Sequence, residues 1–331
     1  MKHLLSRISN LCRAEWSYML SLAGVVSVKH MPVFISVEPA DYCQLSCPQC
    51  PVGMRGGKSL EVRGDRLEVR GERTLLSPDL FRRILSETAP FVWTVQFYFQ
   101  GEPLLNRDLP EMIRLAHAEG LYTIVSTNAQ SLTREMAQRL SAAGLSKLIV
   151  SMDGATQESY EQYRVGGKLQ RVLDGLRYMR EAGGKTTIEL QCLRLRSNEH
   201  EWDVFRRHYR EWGADRLTFK TAQFYDYEHG NDLMPSDERY SRYHRGSDNI
   251  YRLKHGFNGR CHRLWTGCVI TAQGDVVPCC YDKAAAHSYG NILTDNLRNI
   301  FHSEKAKRIR RAIVHSADGL DICRNCGPAW A

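Results

Sequence analysis

The sequence predicts an α/β fold: a partial (β/α)6 TIM-like barrel followed by a small cysteine-rich α+β domain with a β-hairpin. Three observations carry this expectation. Six strand patterns alternate with helical patterns between residues 33 and 220, which implies parallel strands joined by right-handed crossovers. No glycine-rich dinucleotide fingerprint follows the first strand, so an incomplete barrel fits better than a doubly wound sheet. Six of the eleven cysteines then crowd into residues 259–331.

The elements follow in order. Residues 1–32 read as an N-terminal helical extension. Leu4, Leu5, Ile8, Leu11, Trp16, Met19 and Leu20 recur near helical spacing, the pattern of an amphipathic helix. We read it as packed on the core rather than lying on a membrane surface. Lys2 and Arg7 are positive, but Arg13 and Glu15 interrupt any apolar stretch, so this is not a secretory signal.

The barrel is expected over 33–220. "VFISVE" (33–38) is a strand, followed by the loop "PADYCQLSCPQCPVG". Ser77-Pro78 supplies an N-cap and a first-turn proline for a helix over 77–89. "VWTVQFYF" (92–99) is a buried strand, and a helix over 107–119 ends before Gly120. "LYTIVS", a helix over 132–142 ending at Gly144, and "KLIVSM" come next. A helix over 168–182 stops at Gly183-Gly184. "TTIELQ", a helix over 199–212 and "DRLTFK" complete the alternation.

An insertion spanning about 54–74 interrupts the barrel after its first strand. "LEVRGDRLEVRGER" (60–73) repeats a seven-residue unit with one change, Asp65 against Glu72. Two copies are too few for a coiled coil, so it reads as exposed, a hairpin or a disordered loop. The nearby "GMRGGKS" is not a phosphate loop, because Gly53 stands one residue too close to Gly57. Residues 221–258, rich in Tyr, His, Asp and Arg, read as a bridging segment lining a cleft. The small domain is 259–331.

The chain has 331 residues, 43% hydrophobic and 25% charged, an ordinary globular balance. The net charge of +8 is spread without a dense block; it reads as a solvated Lys/Arg face, and no nucleic-acid partner is expected. No apolar run approaches the roughly 18 residues of a membrane span. A cytoplasmic location is expected, where eleven cysteines point to metal binding or catalysis before disulfides.

Cys43, Cys47 and Cys50 form C-x3-C-x2-C just past the first strand, where barrels place their chemistry. Three thiolates from one short loop can hold a cubane cluster and leave its fourth iron open. Structural zinc more often shows paired C-x2-C knuckles and four ligands. The motif resembles the signature of the radical SAM enzymes. The resemblance implies that the open iron chelates S-adenosylmethionine, whose reductive cleavage gives a 5′-deoxyadenosyl radical.

Other stretches match that family. "QGEP", with Gly101, Glu102 and Pro103, resembles the motif that holds the methionine amino group. Thr127 and Asn128 stand where members contact the ribose. Ser151 and Asp153 follow the fourth strand, and Arg164 resembles the arginine that binds the methionine carboxylate. Position 49 is Gln, where many members carry an aromatic near the adenine.

The tail, from "CHRLWTGCVITAQGDVVPCCYD" to "CRNC", resembles the SPASM/twitch extension of the same family. That resemblance implies an auxiliary [4Fe–4S] cluster held by Cys261, Cys279, Cys323 and Cys326. Five residues follow Cys326, so one auxiliary cluster is expected. Residues 269–278 read as a hairpin with arms "VIT" and "VVP", pairing stopped by Pro278. Neighbouring side chains in extended chain face opposite ways. Cys279 and Cys280 should therefore not both reach one cluster; the resemblance implies that the ligand follows the proline directly, which makes Cys279 the expected ligand and Cys280 and Cys268 small buried residues.

The implied function is a radical SAM oxidoreductase, dehydrogenase-like, acting on a sugar- or cyclitol-like small molecule with the auxiliary cluster assisting. An electron donor such as flavodoxin or ferredoxin is implied. A peptide-modifying maturase is the alternative reading, and a non-catalytic iron–sulfur or zinc protein the third. Acid–base candidates in the bridging segment are Tyr225, Asp226, Tyr227, Glu228 and His229, with none singled out.

Overall fold

The computed structural model describes residues 2–58, 60–63, 66–69, 72–315 and 320–327, the second and third of these as backbone. Helix α1 (Leu4–Leu22) precedes strand β1 (Phe34–Val37). The repeated insertion pairs β2 (Leu60–Arg63) with β3 (Arg66–Val69) as an antiparallel hairpin; the exposure expected of it concerns side chains outside the described residues.

The alternation then runs as expected. It comprises α2 (Pro78–Thr88), β4 (Thr94–Phe97), α3 (Leu109–Ala118), β5 (Tyr122–Thr127), α4 (Arg134–Ala142) and β6 (Lys147–Ser151). It continues through α5 (Gln157–Tyr163), α6 (Leu169–Glu181), β7 (Thr187–Arg194), α7 (Trp202–His208) and β8 (Arg216–Thr221). Ser77 caps α2 by accepting from the Leu80 N–H, and Thr133 caps α4 by accepting from Met136. The helix expected over 199–212 is shorter. Arg196–Glu201 forms a tight 3-10 turn because Asn198 Oδ1 takes the Leu195 N–H at 3.1 Å.

The tail adds β9 (Tyr243–Arg245), β10 (Tyr251–Leu253), α8 (Arg263–Thr266), β11 (Gly267–Ile270), β12 (Asp275–Val277), β13 (Gly290–Asn291), α9 (Leu297–Phe301) and α10 (Glu304–His315). Strands β11 and β12 form the expected hairpin, with Val269 opposite Val277. Pairing stops before Pro278. Strand β11 also pairs in parallel with β1. One sheet therefore runs β13-β12-β11-β1-β4-β5-β6-β7-β8, with the six barrel strands parallel.

Ile35, Val37, Val95, Phe97, Val125 and Leu148 are fully buried beneath the helices. The alternate residues of the same strands face the opposite side, the barrel lumen. The registers stack Ser36 with Gln96, Ser126 with Ile149 and Glu189, and Ser151 with Gln191 and Thr218.

Helix α1 departs from expectation. It packs on the barrel through Arg7, Asn10, Ala14, Ser17 and Ser21, while Leu5, Ile8, Trp16 and Met19 face outward. The polar face is inward because it caps backbone groups. Arg7 donates to the carbonyls of Ala89, Glu119 and Gly120 at 2.8–3.2 Å. Asn10 bonds Met31 and Pro32. No helix of the described residues is long and apolar enough to cross a membrane.

Candidate cluster and cofactor site

The three thiols stand on the loop after β1, at the C-terminal end of the parallel strands. The loop is wound tightly: Cys50 N–H bonds Cys47 O at 3.2 Å, and Met54 N–H bonds Cys50 O at 2.8 Å. Two glycines let the chain return against the cysteines. A Cβ on Gly53 would lie 2.5 Å from Cys47 O, and one on Gly57 would lie 2.3 Å from Cys43 O. Gly57 also has a φ of +83°, which glycine adopts without strain.

The surroundings fit a cationic cluster held by thiolates. Burial, then the Glu102 carboxylate, pushes the Cys43 thiol up to about 12. Burial also raises Cys47, against the Arg164 charge beside it. Without a cation the Cys43 and Cys47 thiols stay protonated; a bound metal removes such protons outright. Among the described residues no three His, Cys, Asp or Glu side chains close around a single ion. A cube of four irons and four sulfides takes its ligands at the corners of a larger body.

Glu102 is fully enclosed. Its Oε1 accepts from Thr127 Oγ1 at 2.5 Å and Leu104 N at 3.0 Å, and its Oε2 accepts from Asn128 N at 2.8 Å. Burial raises its pKa against those three bonds. The carboxylate thus ties β4 to the end of β5 and aims Asn128, whose Nδ2 donates to Cys43 Sγ at 3.4 Å. Gly101 permits this junction, since a Cβ there would meet Ala40 O at 2.3 Å and Tyr42 O at 2.4 Å. Pro103 opens the short 3-10 turn that follows.

Asp153 and Arg164 form a second buried unit. Arg164 Nε donates to Asp153 Oδ2 at 2.6 Å, and its Nη1 reaches Cys47 Sγ at 3.9 Å. Burial opposes the guanidinium charge, but Asp153 and Cys47 hold it protonated well above the ordinary range. Asp153 Oδ1 takes the Leu193 N–H at 2.7 Å, which leaves Arg164 aimed at the thiol loop. Ser151, half-buried on the lumen face, stands two residues before this pair. Expected residues from four strand ends thereby meet around one loop.

Several contributors had no signal in the sequence. Gln44 Nε2 donates to Asn128 Oδ1 at 3.2 Å. Asn198 Nδ2 donates to Asp153 O at 2.9 Å, and Glu201 takes the Ala155 N–H and the Ser159 hydroxyl. Gln49, at the position where many family members carry an aromatic, accepts from the Tyr225 N–H at 3.0 Å. That bond holds the Tyr225 backbone beside the thiol loop, with the residue 46% exposed. Of the other bridging candidates, Tyr227 stacks on Tyr243 at 4.5 Å, while Asp226, Glu228 and His229 are exposed.

In the tail, burial raises the thiols of Cys261, Cys279, Cys323 and Cys326. Cys279 also feels Cys280, then Cys261 and Cys326, and Cys326 feels Cys261 and Cys280. The Cys323–Cys326 turn closes through Cys326 N–H to Cys323 O at 3.0 Å. Cys268 is buried in β11, as expected. Cys280 is not: it is half-buried, and Arg263 Nη1 lies 3.8 Å from its sulfur. Beyond Pro278 the chain leaves the sheet, so the cysteine meets the lumen instead of the core. There Tyr98, Lys220 and Arg263 feel its charge. Glu189 meets Lys147 at 2.5 Å and Gln191 at 2.7 Å in the same lumen.

A model of the radical SAM superfamily matches residues 37–207, and a model of the SPASM iron–sulfur cluster-binding domain matches residues 261–327. PqqA peptide cyclase from Rhodopseudomonas palustris is 31% identical over 225 residues, 66% of this chain and 55% of that protein. The chain spans about half the length of the curated relatives it matches. The structure of Streptococcus suis SuiB bound to S-adenosylmethionine aligns with a TM-score of 0.63 at 14% identity, over 88% of this chain and 73% of that one. BtrN in complex with AdoMet and 2-DOIA aligns with a TM-score of 0.54 at 20% identity, over 91% and 95%. These two likenesses show the shared fold. S-adenosylmethionine and [4Fe–4S] clusters are the cofactors that the matched families imply. The chain belongs to the radical SAM superfamily and carries a C-terminal SPASM domain.

Proposed function

We propose that the protein oxidises a carbon of a small, polar, hydroxylated substrate. Cys43, Cys47 and Cys50 would hold the cluster that binds S-adenosylmethionine; Cys261, Cys279, Cys323 and Cys326 would hold an auxiliary one. When bound, these groups supply hydrogen-atom abstraction by a 5′-deoxyadenosyl radical and uptake of the remaining electron. Arg164, held by Asp153, would take the methionine carboxylate. Asn128, aimed by Glu102 and Thr127, would meet the nucleoside.

The observation that carries the reading is the lumen lining. Ser36, Gln96, Tyr98, Ser126, Glu189, Gln191 and Lys220 offer hydrogen-bonding groups at successive levels. Ser36 Oγ already donates to Gln96 Oε1 at 2.9 Å. Such a wall suits a ligand with several hydroxyls. Lys220, near the end of β8, adds an amine to this wall, its pKa lowered by burial.

A peptide substrate is the second reading, favoured by the 31% identity to PqqA peptide cyclase. The test is reconstituted, reduced protein given S-adenosylmethionine and fractionated cell extract, with 5′-deoxyadenosine measured by mass spectrometry. Stimulation by a small-metabolite fraction, with a product lighter by two hydrogens, is expected. Stimulation confined to peptide fractions favours the second reading. Absence of 5′-deoxyadenosine in every fraction overturns both.

A further inference from the structure

We propose that the outward face of α1 is a docking surface for an anionic membrane. At 3.6 residues per turn, Leu5, Ile8, Cys12, Trp16 and Met19 fall within an arc of about 80°. They form one apolar ridge along the helix, with Leu22 at its margin. Leu5 is 83% exposed, Trp16 66% and Met19 58%. This is not a helix awaiting a core, because its polar face is already engaged: Arg7 and Asn10 are buried and bonded to six backbone carbonyls. The helix cannot roll to hide the ridge without breaking those bonds, each leaving a buried polar group unpaired.

The exposed charge near the ridge favours an anionic surface. Arg13 is exposed on the flank of the helix next to Trp16, and Lys29 is exposed in the segment that follows the helix. The only acid of the helix, Glu15, is turned to His262 Nε2 at 2.9 Å. An amphipathic helix with a tryptophan and basic flanks seats its apolar side about 5–10 Å into the headgroup boundary. A second copy of the chain fits less well. The ridge from Leu5 to Met19 is about 21 Å long and roughly 10 Å wide, so two of them would bury roughly 400 Å² in total, about a third of what a stable dimer needs.

The orientation leaves chemistry free. Arg7 bonds the turns just before β4 and β5, and Asn10 the segment just before β1. Helix α1 therefore lies across the N-terminal ends of the strands. The thiol loop stands at the opposite end, so a docked molecule keeps its mouth in water.

The test is sedimentation of the full chain with vesicles of phosphatidylglycerol and phosphatidylcholine, and with phosphatidylcholine alone. Binding to the anionic vesicles that weakens with salt is expected. The double variant Trp16→Glu with Met19→Glu should reduce the bound fraction at least ~10-fold, with circular dichroism and 5′-deoxyadenosine formation unchanged. Arg13→Gln with Lys29→Gln, which leaves the ridge intact, should weaken anionic binding alone. No binding by the wild type, or equal binding to both vesicles, overturns the proposal. So does a lipid-free dimer that the glutamate variant dissolves, which would assign the ridge to a second copy.

Discussion

Cys279 and Cys280 are adjacent on the bend that follows Pro278, and both lie near Arg263 and Cys326. What differs between them is that the Cys280 sulfur lies 3.8 Å from Arg263 Nη1, which leaves Cys279 as the ligand. Cys279→Ala should therefore lower iron from about eight to about four per chain and leave 5′-deoxyadenosine formation; Cys280→Ala should keep about eight. Iron analysis of the purified variants checks both, and the reverse pattern exchanges the two assignments. His30 carries a different kind of prediction. Its ring is 2% exposed, and burial, with the charges of Arg310 and His302, pushes it down from 6.5 to about 4. A histidine lowered in the fold favours folding above its ordinary value, and that stability is lost as pH falls toward the folded value. The loss between roughly pH 6.5 and 4 should be on the order of 2–3 kcal/mol. Urea titrations across that range should show a shallower slope in His30→Phe, which keeps a ring beside Phe301. An unchanged slope would assign the acid sensitivity elsewhere.

The elements differ in how openly the sequence declared them. Strands β4, β5 and β6 were legible because parallel strands covered by helices need continuous apolar runs. Helices α2, α3 and α4 were legible from caps and stop glycines. Helix α5 was missed: it has no apolar stripe to read, and Thr156 caps it with Ser159 in place of the usual Glu or Gln. The site was legible where its residues lie on strand ends, and hidden where distant side chains brace them, as Asn198 and Glu201 do. Helix α1 was readable as a helix and misread as to face, since apolar periodicity does not say which side backbone carbonyls will claim. The hairpin of β2 and β3 gives the test at this scale. Its near boundary is set by Gly57 against Cys43, and its far boundary by Thr74, which exchanges bonds with Asp41 at 2.8 and 3.2 Å. Replacing residues 60–71 by a short Gly/Ser link should leave iron content unchanged and shift the melting temperature by only a few degrees, because loop length costs little. Extending the deletion through Leu75 removes the Ala40–Leu75 bridge and should cost the first cluster. Equal iron loss in both deletions would show that the hairpin itself shapes the site.

At the scale of the molecule, the sheet joins what the sequence seemed to divide. Strand β11 lies against β1 along its whole length, Phe34 opposite Gly267 and Val37 opposite Ile270. Val33 N–H to Thr266 O at 2.7 Å and Glu38 N–H to Ile270 O at 2.9 Å extend the ladder at both ends. The fit is close: a Cβ on Gly267 would lie 2.3 Å from the Phe34 ring, so this strand cannot be exchanged for a generic one. Trp265, Cys268, Ile270, Ile300 and Phe301 share one continuous core with the barrel residues. Arg310, buried in that core, donates to Leu264 O and Phe301 O, tying α10 to the start of β11. The strand that carries the thiol loop thus depends on the tail for its second neighbour. Truncation after residue 258 should expose the β1 edge and a large apolar face, giving aggregated protein without the first cluster. Cys279→Ala and Cys326→Ala should instead stay soluble and keep that cluster, because they leave β11 in place. Size-exclusion profiles and iron content of the three proteins separate the cases. A truncated barrel that stays monomeric and still cleaves S-adenosylmethionine would mean that β1 holds its place without β11, and that the tail serves the substrate alone.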